Sequence, residues 1–290
     1  MNIRNRLTSS IGLGIACAVL LAASVPGASA EDFAKSFAIA GRASVRVETN
    51  DGAVRVITSD ARQVEFRVEY KGYELGKDLR IEARQDGDKI ELVARVSDHL
   101  RISGLFRSRN LRIEVRMPRL ADLQVETGDG SVKSDALEGT VDIHTGDGSI
   151  AVDGLKGDIR LRTGDGSIEA RDLDGKLEAH SGDGHITAGG RFDGLRVKTS
   201  DGSVQARLRP GSKMASPWSI ETGDGGIDLQ VPDGFQADLD ASSSDGRINL
   251  DIPLTVAGKV SHSKVRGQLN GGGPALVLHT GDGSIRIGRD

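Results

Sequence analysis

Aspartates at positions 129, 147, 165, 183 and 201 recur at one constant interval without slippage, each inside the same short phrase. The phrase is TGDGSI at 145–150, 163–168 and 280–285, with close variants beginning at 127, 181, 199, 222 and 243. A constant period of this size marks a repeat architecture in which each copy stacks on the next. Within one copy, TVDIHTGDGSIAVDGLKG, apolar and polar residues alternate with period two, which is the pattern of a strand rather than a helix.

Aligning the copies gives four columns of small or apolar residues that point inward. The first is Leu123, Val141, Ile159, Leu177 and Leu195, and the second Val125, Ile143, Leu161, Ala179 and Val197. Beyond the Gly-Asp-Gly turn come Val132, Ile150, Ile168, Ile186 and Val204, then Ser134, Val152, Ala170, Ala188 and Ala206. The expected fold is all-β: a single elongated parallel β-solenoid, or β-helix, with two short strands per 18-residue coil. Coils would stack at the ~4.8 Å separation of paired strands. An antiparallel meander of Asp-Gly hairpins is the rival, but nothing in a meander requires a constant repeat length.

Two outward columns bear on register. Asp142, Arg160, Glu178 and Arg196 alternate in sign at every step, so stacking in register would place each charge between opposite charges. Glu126, His144, Arg162, His180 and Lys198 alternate less cleanly.

The regular coils span 121–208, with looser coils and insertions on either side. The separation of Asp51 from Asp129 reads as four coils plus a small insertion; Asp224, Asp245 and Asp282 follow at wider intervals. Insertions are expected at 97–110, at 209–218 and at the glycine run 271–273.

The first thirty residues read as an export signal. Arg4 and Arg6 form the basic start, Ile11 to Val25 an apolar run, and Ala28-Ser29-Ala30 a small-residue cleavage site. This leaves 31–290 as one β-solenoid domain, exported to the periplasm or the cell surface, with no transmembrane span. Gly14 stands where a lipoprotein signal at Cys17 would want a leucine-like residue. Cys17 is the only cysteine, so the exported part has no disulfide. Without Arg4 and Arg6 the net charge moves from −4 to −6, which argues against nucleic acid as a partner.

The runs RIEVRMPRLADLQVETGDGSVKSDALEGTVDIHTGDGSI, ETGDGGIDLQVPDGFQADLDASSSDGRI and GQLNGGGPALVLHTGDGSIRIG resemble the bacterial β-strand-repeat family labelled "putative adhesin", a domain of unknown function. The likeness covers nearly the whole chain after residue 30. It implies the repeat fold and an adhesin-like role, and it supplies no catalytic residues.

Asp129, Asp147, Asp165, Asp183 and Asp201 are the sharpest candidates for chemistry. As ligands they would hold a row of Ca²⁺ ions with turn carbonyls. As turn residues they would bond their own backbone while the flanking glycines take positive φ, and this reading is preferred. His144 and His180 share a column, but two coils at ~4.8 Å each keep them too far apart for one metal. A polysaccharide lyase could be drawn from Asp165 with Arg160 or Arg162, yet the sugar-stacking aromatics such sites use are scarce: Trp218, Tyr70, Tyr73 and six phenylalanines. The segment LRISGLFRSRNLR, with Arg101, Arg107, Arg109 and Arg112, is a candidate contact loop, or a connection folding back over the first coils. The function expected is a non-catalytic envelope scaffold that binds a protein or glycan through flat strand faces, with end-to-end oligomers possible in principle. A Ca²⁺-stabilised structural roll is the alternative.

Overall fold

The computed structural model describes residues 31–97, 109–256 and 261–289. The export segment 1–30 and most of the basic loop, including Arg101 and Arg107, lie outside them. Among the described residues every regular element is a β-strand.

Pairing runs in two ladders, one on each side of the Gly-Asp-Gly turn. In the first, Val141 lies between Leu123 and Ile159, and Ile159 beside Leu177, all parallel. In the second, Ile150 lies between Val132 and Ile168, and Ile168 beside Ile186. Each strand of this block therefore pairs with the equivalent strand one repeat away, and not with its neighbour across the turn. The strands Ile168–Ser181 and Ile186–Lys198 run round the second corner and join the two ladders, with register shifts near Leu173 and Gly175. All four inward columns are buried, and their apolar members belong to one continuous hydrophobic core. Such columns are self-consistent: a slip of one residue would turn every one of them outward.

Three expectations are corrected. First, the sheet is mixed, not parallel from end to end. Glu31–Ala38 pairs antiparallel with Gln63–Lys71, which pairs antiparallel with Asn110–Pro118. Leu79–Asp86 pairs antiparallel with Lys89–Val96, and Lys264–Leu269 with Ala237–Ser243. These strands cap the parallel stack with a different hydrogen-bond pattern, one of the means by which sheets blunt their edges. At one end, Lys35 Nζ donates to the Ala83 carbonyl at 2.8 Å and Gln85 Nε2 to that of Ala38 at 2.7 Å, bridging the two outermost strands.

Second, the coils do not stack in sequence order. Ala43–Thr49 pairs directly with Ala121–Thr127, so the stretch of chain between Asp51 and Asp129 spans one coil step and not four. The intervening chain turns back to place Lys89–Val96 and Asn110–Pro118 on the outside of the first coil. At the other end Ala275–Thr280 and Ile285–Arg289 insert between the coil at 218–231 and the coil at 237–250.

Third, the turn glycines at 128, 130, 146, 148, 164, 166, 182 and 184 are not among those with positive φ. Their requirement is space: a Cβ at Gly148 would strike the Gly130 carbonyl oxygen, and one at Gly166 that of Gly148. Successive turns lie too close for any side chain there.

Candidate interaction surface

The turns form one file, in the order Asp51, Asp129, Asp147, Asp165, Asp183, Asp201, Asp224, Asp282, Asp245. Its backbone bonds are continuous, from Gly128 N–H to the Thr49 carbonyl, through Gly164 N–H to Gly146 at 2.6 Å, to Ser244 N–H on Gly281 at 2.8 Å.

The residue that ties the file together is the hydroxyl before each Gly-Asp-Gly. Thr145 Oγ1 donates toward the Gly130 and Gly128 carbonyls at 3.1 Å each, and accepts the N–H of Gly148 at 3.1 Å. Thr163, Ser181, Thr222 and Thr280 repeat the arrangement on the Gly148, Gly166, Gly202 and Gly225 carbonyls at 2.7–2.9 Å. These side chains are buried, so a chain of satisfied hydroxyls runs through the edge of the core. Sequence reasoning passed over them. The signal was a column of nothing but Thr and Ser at an inward position, from Thr49 to Thr280.

The aspartates themselves point outward. Asp129, Asp147, Asp165, Asp183 and Asp201 lie at the surface, and their carboxylates have no hydrogen bond or ion pair among the described residues. The bond to their own backbone that a turn role called for is supplied by the hydroxyl column instead. No group of three or more potential ligands, His, Cys, Asp or Glu, is placed to hold one metal ion among the described residues. Asp51 differs: it accepts the Tyr73 hydroxyl at 3.1 Å, with the Arg109 guanidinium 5.2 Å from that ring. Burial, reinforced by the Asp51 charge and hydrogen bond, pushes the Tyr73 phenol up to about 12. Arg112 pairs with Glu69 at 3.9 Å.

On the outward face of the first ladder, Arg160 sits between Asp142 at 3.5 Å and Glu178 at 3.2 Å, which holds its guanidinium proton more tightly still. Arg162 reaches Asp142 at 3.9 Å. The two arginines are thus engaged along the strand face and not with Asp165, the partner a lyase constellation would need. His144, Arg162, His180 and Lys198 lie in register in the adjacent column. His185 is elsewhere, at a turn, where its Nδ1 accepts the Ser203 N–H at 3.0 Å.

The second corner carries an open depression of ≈ 600 Å³ lined by Asp135, Asp153, Lys156, Asp172, Arg191 and Arg209. Much of its charge is internally matched: Arg209 pairs with Asp172, and Arg191 with Asp174 and, through two nitrogens at 2.6 and 2.9 Å, with Asp193. Trp218 is fully buried against Phe235, ring centres 5.7 Å apart, and is unavailable for stacking on a sugar.

The family model described as Toastrack DUF4097 matches residues 43–288. No curated protein is a significant match. Similar solved structures include these three. One is a "putative cell adhesion protein" from Clostridium sporogenes, 13% identical, covering 90% of this chain and 100% of that one, TM-score 0.33. Another is a "putative adhesin" from Bacteroides fragilis, 12% identical, covering 90% and 98%, TM-score 0.42. The third is a "putative adhesin" from Parabacteroides merdae, 10% identical, covering 89% and 96%, TM-score 0.34.

Proposed function

The chain belongs to the Toastrack DUF4097 family, and from that premise we propose that it is an exported, non-catalytic binding scaffold of the cell envelope. In this reading residues 1–30 direct export to the periplasm or cell surface, and 31–290 act as one solenoid-like domain whose strand faces contact an envelope protein or glycan. The observation that carries it is the division of labour along the stack. Inward positions are filled by packed apolar columns and a bonded hydroxyl file, while the outward positions display fixed columns of charge on a rigid backbone. A surface of this kind suits recognition over many coils, because the backbone that presents the side chains is already ordered before binding. An end-to-end oligomer would have to form through the outermost strands, two of which are already bridged by Lys35 and Gln85.

Capture from an envelope extract, using the chain without residues 1–30 as bait, tests the proposal. A specific partner retained in moderate salt supports it; capture of nothing beyond what an unrelated β-protein retains overturns it. The unpartnered aspartate file favours a second reading, a Ca²⁺-stabilised structural roll, in which charge repulsion along the file is relieved by bound cations. A chelator-induced fall in melting temperature of about ten degrees would support that reading over the first.

A further inference from the structure

Each turn of the file contains an Asp–Gly step, and the sequence has one Asn–Gly step, Asn270–Gly271. The two dipeptides share a chemistry: the glycine nitrogen can attack the side-chain carbonyl carbon of the residue before it and close a cyclic imide. Glycine leaves that nitrogen unshielded, and asparagine is the more reactive partner because an ionised carboxylate is a poor electrophile. In a fold, the outcome depends on whether the nitrogen is free to approach.

In the file it is held. The N–H groups of Gly130, Gly148, Gly166 and Gly184 donate to the buried hydroxyls of Thr127, Thr145, Thr163 and Ser181, and Gly225, Gly246 and Gly283 repeat the bond. Each bond turns the nitrogen toward the core, away from a carboxylate that lies at the surface. Breaking it would strand a buried donor. Gly52 and Gly202 lack the hydroxyl bond, so Asp165, in the middle of the regular block, reports on the column.

Asn270–Gly271 stands outside the file, on the connection between Lys264–Leu269 and Ala275–Thr280. Both residues are exposed, and both take positive φ, 47° at Asn270 and 93° at Gly271. The Gly271 N–H has no acceptor among the described residues, and a Cβ at Gly271 would meet nothing within 4 Å. The peptide unit between the two residues is therefore free to swing, since Gly271 accepts either sign of φ. One tether is present: Asn270 Nδ2 donates to the Phe235 carbonyl at 2.9 Å. It holds the departing nitrogen and leaves the Cγ carbon open to attack.

We propose that Asn270 is the chain's site of spontaneous deamidation in the folded state, and that the hydroxyl column keeps the same cyclisation from the Asp–Gly turns. Gly271 N gives its proton to solvent and bonds to Asn270 Cγ; the Cγ–Nδ2 bond breaks, and the nitrogen takes up a proton and leaves as ammonia. Water then opens the imide at either carbonyl, giving an aspartyl link or an isoaspartyl one in which the main chain runs through the side-chain carbon. Either product loses the donor that held the Phe235 carbonyl and puts a carboxylate in its place. The change falls on the connection that leads into Ala275–Thr280, the strand inserted between two earlier coils.

The test is peptide mapping by mass spectrometry of the chain lacking residues 1–30, incubated in mildly alkaline buffer with and without urea. In buffer alone, the peptide carrying Asn270 should gain the deamidated mass and split into aspartyl and isoaspartyl forms, while the peptide carrying Asp165 stays single. In urea both should convert, because the turn no longer holds the Gly166 N–H. Thr163→Val should speed conversion at Asp165 in buffer by about tenfold or more and leave Asp129 slow, whereas Thr163→Ser should match the unaltered chain. An Asn270 that stays intact in buffer over a period that converts it in urea overturns the site. Conversion of Asp165 as fast in buffer as in urea overturns the protection, a comparison that needs no variant to fold. So does a Thr163→Val chain in which Asp165 is no faster, or in which Asp129 rises equally, since then the hydroxyl shields nothing of its own.

Discussion

Thr145 and Gly130, fifteen residues apart in sequence, are joined by a 3.1 Å hydrogen bond from the threonine hydroxyl to the glycine carbonyl of the neighbouring coil. The same hydroxyl accepts Gly148 N–H, so one buried side chain closes its own turn and binds the turn beside it.

Removing it should therefore cost more than an average hydrogen bond. Thr145→Val keeps the shape and strands a buried N–H and carbonyl, an expected loss of about 1–3 kcal/mol. Thr145→Ser should be mild, since Ser181 already fills the same role. Urea unfolding of the two variants separates them, and a loss in Thr145→Ser without one in Thr145→Val would mean that the methyl, not the hydroxyl, matters.

Gly166 and Asp165 make a sharper contrast. Gly166→Ala puts a Cβ against the Gly148 carbonyl and should destabilise by about 1–3 kcal/mol, as overpacking does. Asp165→Asn alters an exposed carboxylate without a partner and should stay within about 0.5 kcal/mol. Chelation should leave the melting temperature unchanged in both. A larger loss in Asp165→Asn than in Gly166→Ala would show that the carboxylate charge is engaged by something bound.

How much of this was legible in the sequence depends on the kind of information. Column membership was, because Val141, Ile159 and Leu177 repeat at an interval that only a stack in register explains. The outward ladder around Arg160 was legible for the same reason. Stacking order outside 121–208 was not: the turn phrase at Asp51 is chemically the same whether its neighbour in space is the next coil in sequence or the distant one at Asp129. Nor could the glycines declare their purpose, since a residue without Cβ serves positive φ and close approach equally well. The turn bond assigned to aspartate belongs to threonine and serine, whose inward column reads in the sequence as one more small-residue position.

The Arg160 ladder can be tested by reversal. Arg160→Glu places an acid between Asp142 and Glu178 and should cost roughly 0.4–2 kcal/mol over its two neighbours. Adding Asp142→Lys and Glu178→Arg should recover much of the loss, and high salt should shrink it. Additive losses in the triple variant would mean that the three side chains do not couple.

Tyr70 and Tyr73 are the only tyrosines, and both phenols are raised above their ordinary value. Burial is the main cause, with Glu31 contributing at Tyr70 and Asp51 at Tyr73. A raised folded-state value favours the neutral phenol in the fold. The stability this contributes is complete below about 10, the unfolded value, and is lost as pH climbs through about 12 for Tyr73. Tyr73 should therefore contribute almost no phenolate absorbance near pH 10, and the absorbance should rise steeply above it as the chain opens, with a smaller loss of stability in Tyr73→Phe. An ordinary titration of both rings at about pH 10 in folded protein would contradict this environment.

The inserted position of the last coil gives the most direct test of the stacking order. Ile287 lies between Leu229 and Leu250 in the second ladder and is fully buried, whereas Leu250 closes that column and is only partly buried. If coils stacked as they occur in sequence, Ile287 would be terminal and Leu250 internal. With the observed order, Ile287→Ala opens a cavity inside the stack and should cost about 2–5 kcal/mol, while Leu250→Ala at the open end should cost less. A partly covered site can relax, so its loss is closer to the simple transfer of a few methylenes. Denaturant unfolding of the two variants decides the matter: a greater loss for Leu250→Ala would return 237–250 to the interior and the chain terminus to the edge. The expected ranking instead makes the C-terminal strands a wedge between two earlier coils, so that the stack is completed only when the last residues have entered it.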